Sequence, residues 1–227
     1  MQIIEIYKSL QGESSFTGLP CVFVRLAGCN LRCHWCDSEY TFKGGEKMSE
    51  EQVAEEVHRL LPERGLVEIT GGEPLLQERE LVPLMKRLIE SGYTLLLETS
   101  GERPLASVPP AVFKIVDVKC PDSGEGGSFR LDNLQYIGVR DEIKFVIASR
   151  ADYEFAREFT VGNRLVDKAG NVIFSPAFDK LAKGTRDISH CLLDPCELAG
   201  WILEDGLPVR LGLQIHKLIW DPSLKGV

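Results

Sequence analysis

A chain of 227 residues with 44% hydrophobic and 26% charged side chains has the size and composition of one ordinary globular domain with a good core. No apolar run approaches the roughly 20 residues that cross a membrane, and a net charge of -8 argues against a nucleic-acid partner, which needs clustered Lys and Arg. Seven cysteines are an odd number, and three of them fall within eight residues at metal spacing, which argues against a disulfide framework, so reduced thiols are expected. With no basic region or long apolar stretch over residues 1–6, the expected location is the cytoplasm and the expected partner a small molecule.

Ile4-Glu5-Ile6-Tyr7 alternates like an edge strand, and Ser9 to Ser14 follow as a polar, glycine-containing loop. On residue chemistry alone, Gln11 and Glu13 read as solvated turn residues. Residues 21–27 form an apolar strand interrupted by Arg25, whose guanidinium needs an anionic or planar partner such as a substrate carboxylate. The strand empties into Cys29-Asn30-Leu31-Arg32-Cys33-His34-Trp35-Cys36-Asp37-Ser38. Three thiolates at C-x3-C-x2-C spacing make an incomplete cage, because closed zinc and four-cysteine iron sites need a fourth ligand.

This loop, with an aromatic before its last cysteine, resembles the signature of the radical S-adenosylmethionine enzymes. The resemblance implies a [4Fe-4S] cluster on Cys29, Cys33 and Cys36, with one iron open to S-adenosyl-L-methionine and with Trp35, Cys36 and Asp37 beside that cofactor. A zinc knuckle borrowing His34 is the bland alternative. The leader, of the form I-x-E-I-x-x-S-x-Q-G-E, is similar to that of the 7-carboxy-7-deazaguanine synthases, which implies substrate contacts at Leu10, Gln11, Gly12, Glu13 and Arg25. Ser38 stands where that family commonly has a threonine that ligates Mg2+, and its hydroxyl is a hard donor of the same kind, although it also suits a turn cap.

Ser49 and Gln52 predict a capping box opening a helix with Val53, Val57, Leu60 and Leu61 on its apolar face, stopped by Pro62. Residues 66–70 form a short strand that runs into Gly71-Gly72-Glu73-Pro74, where consecutive glycines permit close backbone approach. The segment resembles the radical enzymes' glycine-glycine-glutamate motif, implying cofactor contacts at Gly72 and Glu73 and a substrate contact at Thr70. A helix with Leu81, Leu84, Met85, Leu88 and Ile89 inward ends at Gly92, and residues 93–99 form the next strand. Glu98 at its end is a candidate for the cofactor or substrate, or for a structural ion pair.

Residues 112–119 predict a fourth strand after those at 21, 66 and 93, and its exit, Cys120, Pro121 and Asp122, is the family's nearest match to a cofactor loop. Residues 141–147 and 171–174 are the fifth and sixth, separated by a helix over about 151–159. The resemblance implies adenosine contacts at Ser175, Pro176, Ala177 and Phe178, residues that also serve as core plugs. Asp194-Pro195-Cys196-Glu197 opens a helix, which makes Cys191 and Cys196 packing residues. The ending Leu213 to Trp220 resembles the synthases' L-Q-x-H-K-x-I-W, implying that His216, otherwise a core histidine, and the terminal Val227 reach the substrate.

The expected fold is therefore α/β, a partial (open) TIM-like barrel of about six mainly parallel strands with few helices and a radical SAM core. It is read as one domain over 1–227, with a leader at 1–20, a cluster loop at 29–38 and a closing segment at 207–227. The implied chemistry is radical ring contraction of 6-carboxy-5,6,7,8-tetrahydropterin to 7-carboxy-7-deazaguanine with loss of ammonia, in queuosine and deazapurine biosynthesis. The implied accessories are Mg2+, a flavodoxin- or ferredoxin-type electron donor and a homodimer. A glycyl-radical-enzyme activase shares the cysteines and the glycine pair but gives no reason for Gln11, Arg25 and His216; a non-catalytic zinc or iron-sulfur module leaves the glycine loops unexplained.

Overall fold

The computed structural model describes residues 1–182, 187–221 and 224–226. Its centre is one sheet of nine strands: β1 (Gln2–Leu10), β2 (Pro20–Leu26), β3 (Glu46–Lys47), β4 (Leu66–Gly71), β5 (Thr94–Thr99), β6 (Phe113–Asp117), β7 (Glu142–Ile147), β8 (Asn171–Pro176) and β9 (Arg210–Leu211). The order is β3-β1-β2-β4-β5-β6-β7-β8-β9. Only β1 runs antiparallel to its neighbours β2 and β3; from β2 to β9 every pairing is parallel. The sheet is the unclosed α/β barrel expected from the sequence, lengthened by two short pairings at its edges.

Helices α1 (Glu50–Leu60), α2 (Glu78–Glu90), α3 (Arg150–Gly162), α4 (Leu165–Lys168), α5 (Pro195–Glu204) and α6 (His216–Ile219) complete the frame. The capping box of α1 forms: Gln52 N–H donates to Ser49 Oγ at 3.2 Å and Ser49 N–H to Gln52 Oε1 at 2.8 Å. Asp194 caps α5 by accepting from Cys196 N–H at 2.8 Å. The crossover from β5 to β6 contains no helix, and that from β6 to β7 only 3-10 turns at 121–123 and 131–136. Two details differ from the sequence reading. β8 runs through Ser175 and Pro176, so these belong to the strand and not to its exit loop. Cys196 is exposed, because the first turn of α5 presents it to solvent, while Cys191 is partly buried in a bridge to Phe178.

The strands have two buried faces with different contents. Val67, Ile69, Leu95, Leu97, Val116, Ile143 and Phe145 point outward into the main core beneath the helices. Cys21, Phe23, Leu66, Leu96 and Ile115 point inward as an apolar floor. Further along the same inner face come Arg25, Thr70, Glu98 and Asp117, towards the C-terminal ends of their strands, and Lys144 at the middle of β7 in register with Asp117. The period of two thus turns a greasy floor into a charged rim within a single sheet.

Phe145 is fully buried and meets Phe155, Phe159 and Phe174 edge-on at 6.4, 5.9 and 5.5 Å. Phe145→Ala should lower unfolding free energy by about 3–5 kcal/mol in urea titration; a loss under about 1 kcal/mol would show that this aromatic cluster is not the keystone of the outer core.

Candidate functional site

The inner rim and the loops beyond it enclose a cleft of about 330 Å3, a volume suited to small molecules. Cys29, Cys33, Trp35, Cys36, Asp37 and Ser38 line one side. The loop carrying them leaves β2 through Gly28, at φ 93°, and Gly28 N–H is tied to the Thr41 carbonyl at 2.7 Å. β4 ends against it. A Cβ at Gly72 would lie 2.7 Å from the Cys29 Cβ, and one at Gly71, at φ 150°, would overlap the backbone of Leu26. The glycine pair is therefore the condition for bringing the ends of β2 and β4 together beside the cysteines.

All three cysteines are free, partly buried thiols. Burial pushes Cys29 up, and pushes Cys33 up to about 11, with Lys119 opposing both. Among the described residues, no three His, Cys, Asp or Glu side chains converge as ligands of a single ion. A cluster that takes each thiolate on a different iron does not require such convergence, so the donor set fits three corners of a [4Fe-4S] centre better than a zinc knuckle.

The facing side is a ring of charge around Lys144. Its ammonium lies 2.7 Å from Glu13 Oε2, 2.5 Å from Glu98 Oε1 and 3.9 Å from Asp117 Oδ2, with its side chain only 3% exposed. Burial would lower the Lys144 pKa, but Glu13, Glu98 and Asp117 together raise it well above the ordinary value. Burial would likewise raise Glu13, yet Lys144, His216 and Lys217 hold it below the carboxylate range. Gln214 Nε2 donates to Glu13 Oε1 at 2.7 Å, and His216 Nε2 lies 3.9 Å from the same oxygen. A second pair sits nearby: Lys119 holds Asp117 at 2.8 Å.

The leader loop folds inward instead of standing in solvent. Gln11 is buried; its Nε2 donates to Glu68 Oε2 at 3.0 Å, and its Oε1 accepts from Glu13 N–H at 2.8 Å and Ser14 N–H at 3.0 Å. Leu10, Gly12 and Glu13 also line the cleft. Gly12 abuts the His216 ring, which a Cβ would strike, and its carbonyl accepts from Ile215 N–H at 3.0 Å. Arg25 finds its anion within the chain: Nε donates to Glu5 Oε1 at 2.8 Å and Nη2 to Tyr7 Oη at 2.9 Å, while Tyr40 Oη donates to the same Glu5 oxygen at 2.7 Å. Thr70 Oγ1 donates to Glu98 Oε2 at 3.3 Å.

Several residues singled out in the sequence stand differently. Glu73 lines the cleft, but Leu75 N–H, Thr99 Oγ1, Ser100 N–H and Ser100 Oγ all donate to its carboxylate, which therefore knits the ends of β4 and β5. Phe178 reaches the cleft, whereas Ser175, Pro176 and Ala177 are buried and lie outside its lining. Cys120, Pro121 and Asp122 are also outside it, because Cys120 turns into the core; Asp117 and Lys119 line the cleft at that exit. Val227 lies outside the described residues. Lys144, Glu68, Asp117 and Lys119 were missed, although the signal was the one applied to Arg25, a charge set in an apolar strand. Lys217, which pairs with Asp37 at 2.5 Å, offered only its place in the C-terminal segment.

The Glu68 carboxyl is pushed well above its ordinary value by burial and then by Glu98, against the hydrogen bond from Gln11. Above the ordinary carboxylate pKa the unfolded chain releases this proton while the folded chain keeps it, so Glu68 lowers stability as pH rises towards its raised value. Glu68→Gln, which keeps an acceptor for Gln11, should thus raise the urea midpoint more at about pH 8 than at about pH 5. An equal change at both would contradict a raised Glu68 pKa.

The comparisons with known proteins agree with this geometry. Residues 24–116, which carry the cysteine loop, the glycine pair and β5, match the Radical SAM superfamily. Over 227 residues, all of both chains, the protein is 71% identical to a 7-carboxy-7-deazaguanine synthase of Koribacter versatilis. It is 40% identical to that of Chlorobaculum tepidum, covering 100% of this chain and 97% of the relative. The crystal structure of QueE from Escherichia coli superposes with a TM-score of 0.72 at 26% identity, covering 94% of this chain and 93% of that one. These relatives are named as synthases, not as activases or metal-binding modules. Superfamily membership implies a [4Fe-4S] cluster and S-adenosylmethionine, which the cysteine loop and the adjoining glycine cradle fit. The chain belongs to the 7-carboxy-7-deazaguanine synthase family of radical SAM enzymes.

Proposed function

We propose that the chain converts 6-carboxy-5,6,7,8-tetrahydropterin to 7-carboxy-7-deazaguanine with loss of ammonia. The observation that carries this reading is identity with a synthase along the whole length, the leader and the closing segment included. When bound, the cluster and S-adenosylmethionine supply the radical that starts the rearrangement. Cys29, Cys33 and Cys36 would hold the cluster, and Gly72, packed against Cys29, would leave its backbone open to the cofactor.

The chain's own residues bind and orient. Glu5 and Tyr7 occupy two of the Arg25 N–H groups and aim the guanidinium into the cleft; the remaining face suits the substrate carboxylate. The carboxyl groups of Glu13, Glu68 and Glu98 and the ammonium of Lys144 offer both acceptors and donors to a pterin ring. Leu10, Gln11, Gly12 and Thr70 complete the substrate side, and the Ile215 to Gly12 hydrogen bond closes the leader against the tail. His216, held below its usual pKa first by burial, acts as a neutral hydrogen-bonding ring. Ser38 would hold Mg2+ together with the substrate carboxylate, a hard oxygen donor for a hard cation. Trp35, Asp37 and Phe178, which line the cleft, would flank the cofactor. A flavodoxin- or ferredoxin-type donor, a homodimer and a cytoplasmic setting complete the proposal; no helix among the described residues is long and apolar enough to cross a membrane.

Anaerobic reconstitution with iron and sulfide, reduction and addition of both small molecules should yield 7-carboxy-7-deazaguanine and ammonia by mass spectrometry. Cys33→Ala should abolish the product, and Arg25→Ala should lower kcat/KM by about a hundredfold, as loss of a charge-assisted pair predicts. Deoxyadenosine without deazaguanine would sink the substrate assignment. Separately, Ser38→Ala should erase the stimulation of turnover by Mg2+ and Ser38→Thr should preserve it; stimulation that persists in the alanine variant removes Ser38 from the metal.

A further inference from the structure

The turn at 120–125 lies outside the cleft but runs along the back of the cysteine loop. The His34 N–H donates to the Ser123 carbonyl at 2.9 Å. The Arg32 N–H donates to Glu125 Oε1 at 2.5 Å. His34 Nδ1 lies 2.8 Å from the Asp122 carbonyl, an approach that requires the ring proton on that nitrogen. These three contacts grip the residues immediately before and after Cys33. The turn follows the imidazole so closely that a Cβ on Gly124, whose φ is 81°, would stand 2.8 Å from His34 Nε2.

The turn is itself anchored to the sheet. Asp152, fully buried in the first turn of α3, accepts from Asp122 N–H at 2.9 Å and from Ala148 N–H, at the end of β7, at 3.0 Å. Ser149 Oγ donates to Asp122 Oδ2 at 2.5 Å. Within the turn, Ser123 Oγ donates to the Cys120 carbonyl at 2.5 Å and accepts from Glu125 N–H at 3.1 Å. An unbroken series of hydrogen bonds therefore runs from the end of β7 to the peptide groups flanking Cys33. From the other side, Arg32 Nη1 donates to the Cys29 and Leu31 carbonyls at 2.8 and 2.6 Å, with its guanidinium over the Phe42 ring. The cysteine loop has no helix or strand of its own between Gly28 and Ser38, so its shape comes from such external contacts.

We infer that Glu125 and His34 are positioning residues for Cys33: the 122–125 turn is a splint that sets the cysteine loop in its cluster-holding shape before metal arrives. The inference rests on Cys29, Cys33 and Cys36 being the cluster ligands. Partners outside a ligand shell commonly change metal affinity by about 10- to 100-fold, and Glu125, a partly buried surface carboxylate, can be altered without opening the core.

The test uses full-length Glu125→Ala, Glu125→Gln and His34→Ala. In the metal-free proteins, hydrogen exchange read by mass spectrometry on the peptide spanning 30–36 should speed up in both alanine variants, with exchange in the β4–β7 peptides unchanged. After reconstitution, both should lose iron to a chelator about tenfold faster than the unaltered protein, and Glu125→Gln, which keeps the acceptor for Arg32 N–H, should restore most of the retention. Unchanged exchange and unchanged iron loss in the alanine variants overturn the splint while leaving the ligands standing. A glutamine variant as impaired as the alanine one also overturns it, since charge and not geometry would then be at work. An unaltered protein that assembles no cluster fails at the ligands, and the splint falls with them.

Discussion

A lysine ammonium inside a barrel has to be neutralised where it stands, and Lys144 fixes the site by that requirement. Its partners come from three parts of the chain: Glu13 from the leader, Glu98 from β5 and Asp117 from β6. Removing Lys144 would strip Glu13 and Glu98 of the cation between them, a larger loss than an exposed ion pair represents. The leader loop is therefore an integral wall of the cleft. The tail is drawn in by the same ion, because Gln214 and His216 approach the oxygen of Glu13 that Lys144 does not hold.

Opposite this ring, the constraint is steric. The ends of β2 and β4 approach so closely that only hydrogen fits on Gly71 and Gly72. Charge holds one half of the cleft and absence of side chains the other, and the apolar floor of Cys21, Phe23, Leu66, Leu96 and Ile115 excludes water beneath both. This division suits radical chemistry: a tightly packed, soft-ligand side for the cofactors and a polar, two-signed side for a heteroaromatic acid.

The fold was largely legible because its strands are short apolar runs ending in glycine or polar loops, a pattern that parallel α/β sheets produce directly. The two-residue strands β3 and β9 were not, since Glu46-Lys47 and Arg210-Leu211 carry no periodicity and pair only because β1 and β8 present edges. At the site, the cysteines and the glycine pair declared themselves by spacing. The ring around Lys144 did not, because Glu98, Asp117 and Lys144 are far apart in sequence and only the parallel register places them on one inner face. Cys120 illustrates the converse: its loop has the composition of a ligand-binding exit, yet one strand residue of register sends its sulfur into the core and Lys119 into the cleft.

The hydrogen bonds that close the cleft also order its assembly in time. Glu13 is separated from Lys144 by 131 residues and from Gln214 by 201, so contacts that look local in the finished protein are among the most distant along the chain. During synthesis from the N-terminus, β1, β2 and the cysteine loop emerge long before the residues that neutralise and cover them. Closure of such long loops is slow, and until residue 214 has left the ribosome the nascent leader carries an acidic side chain without its amide partner. The thiols are thus translated into an open half-barrel, and the pocket that shelters them becomes whole only once Gln214 and His216 have joined it.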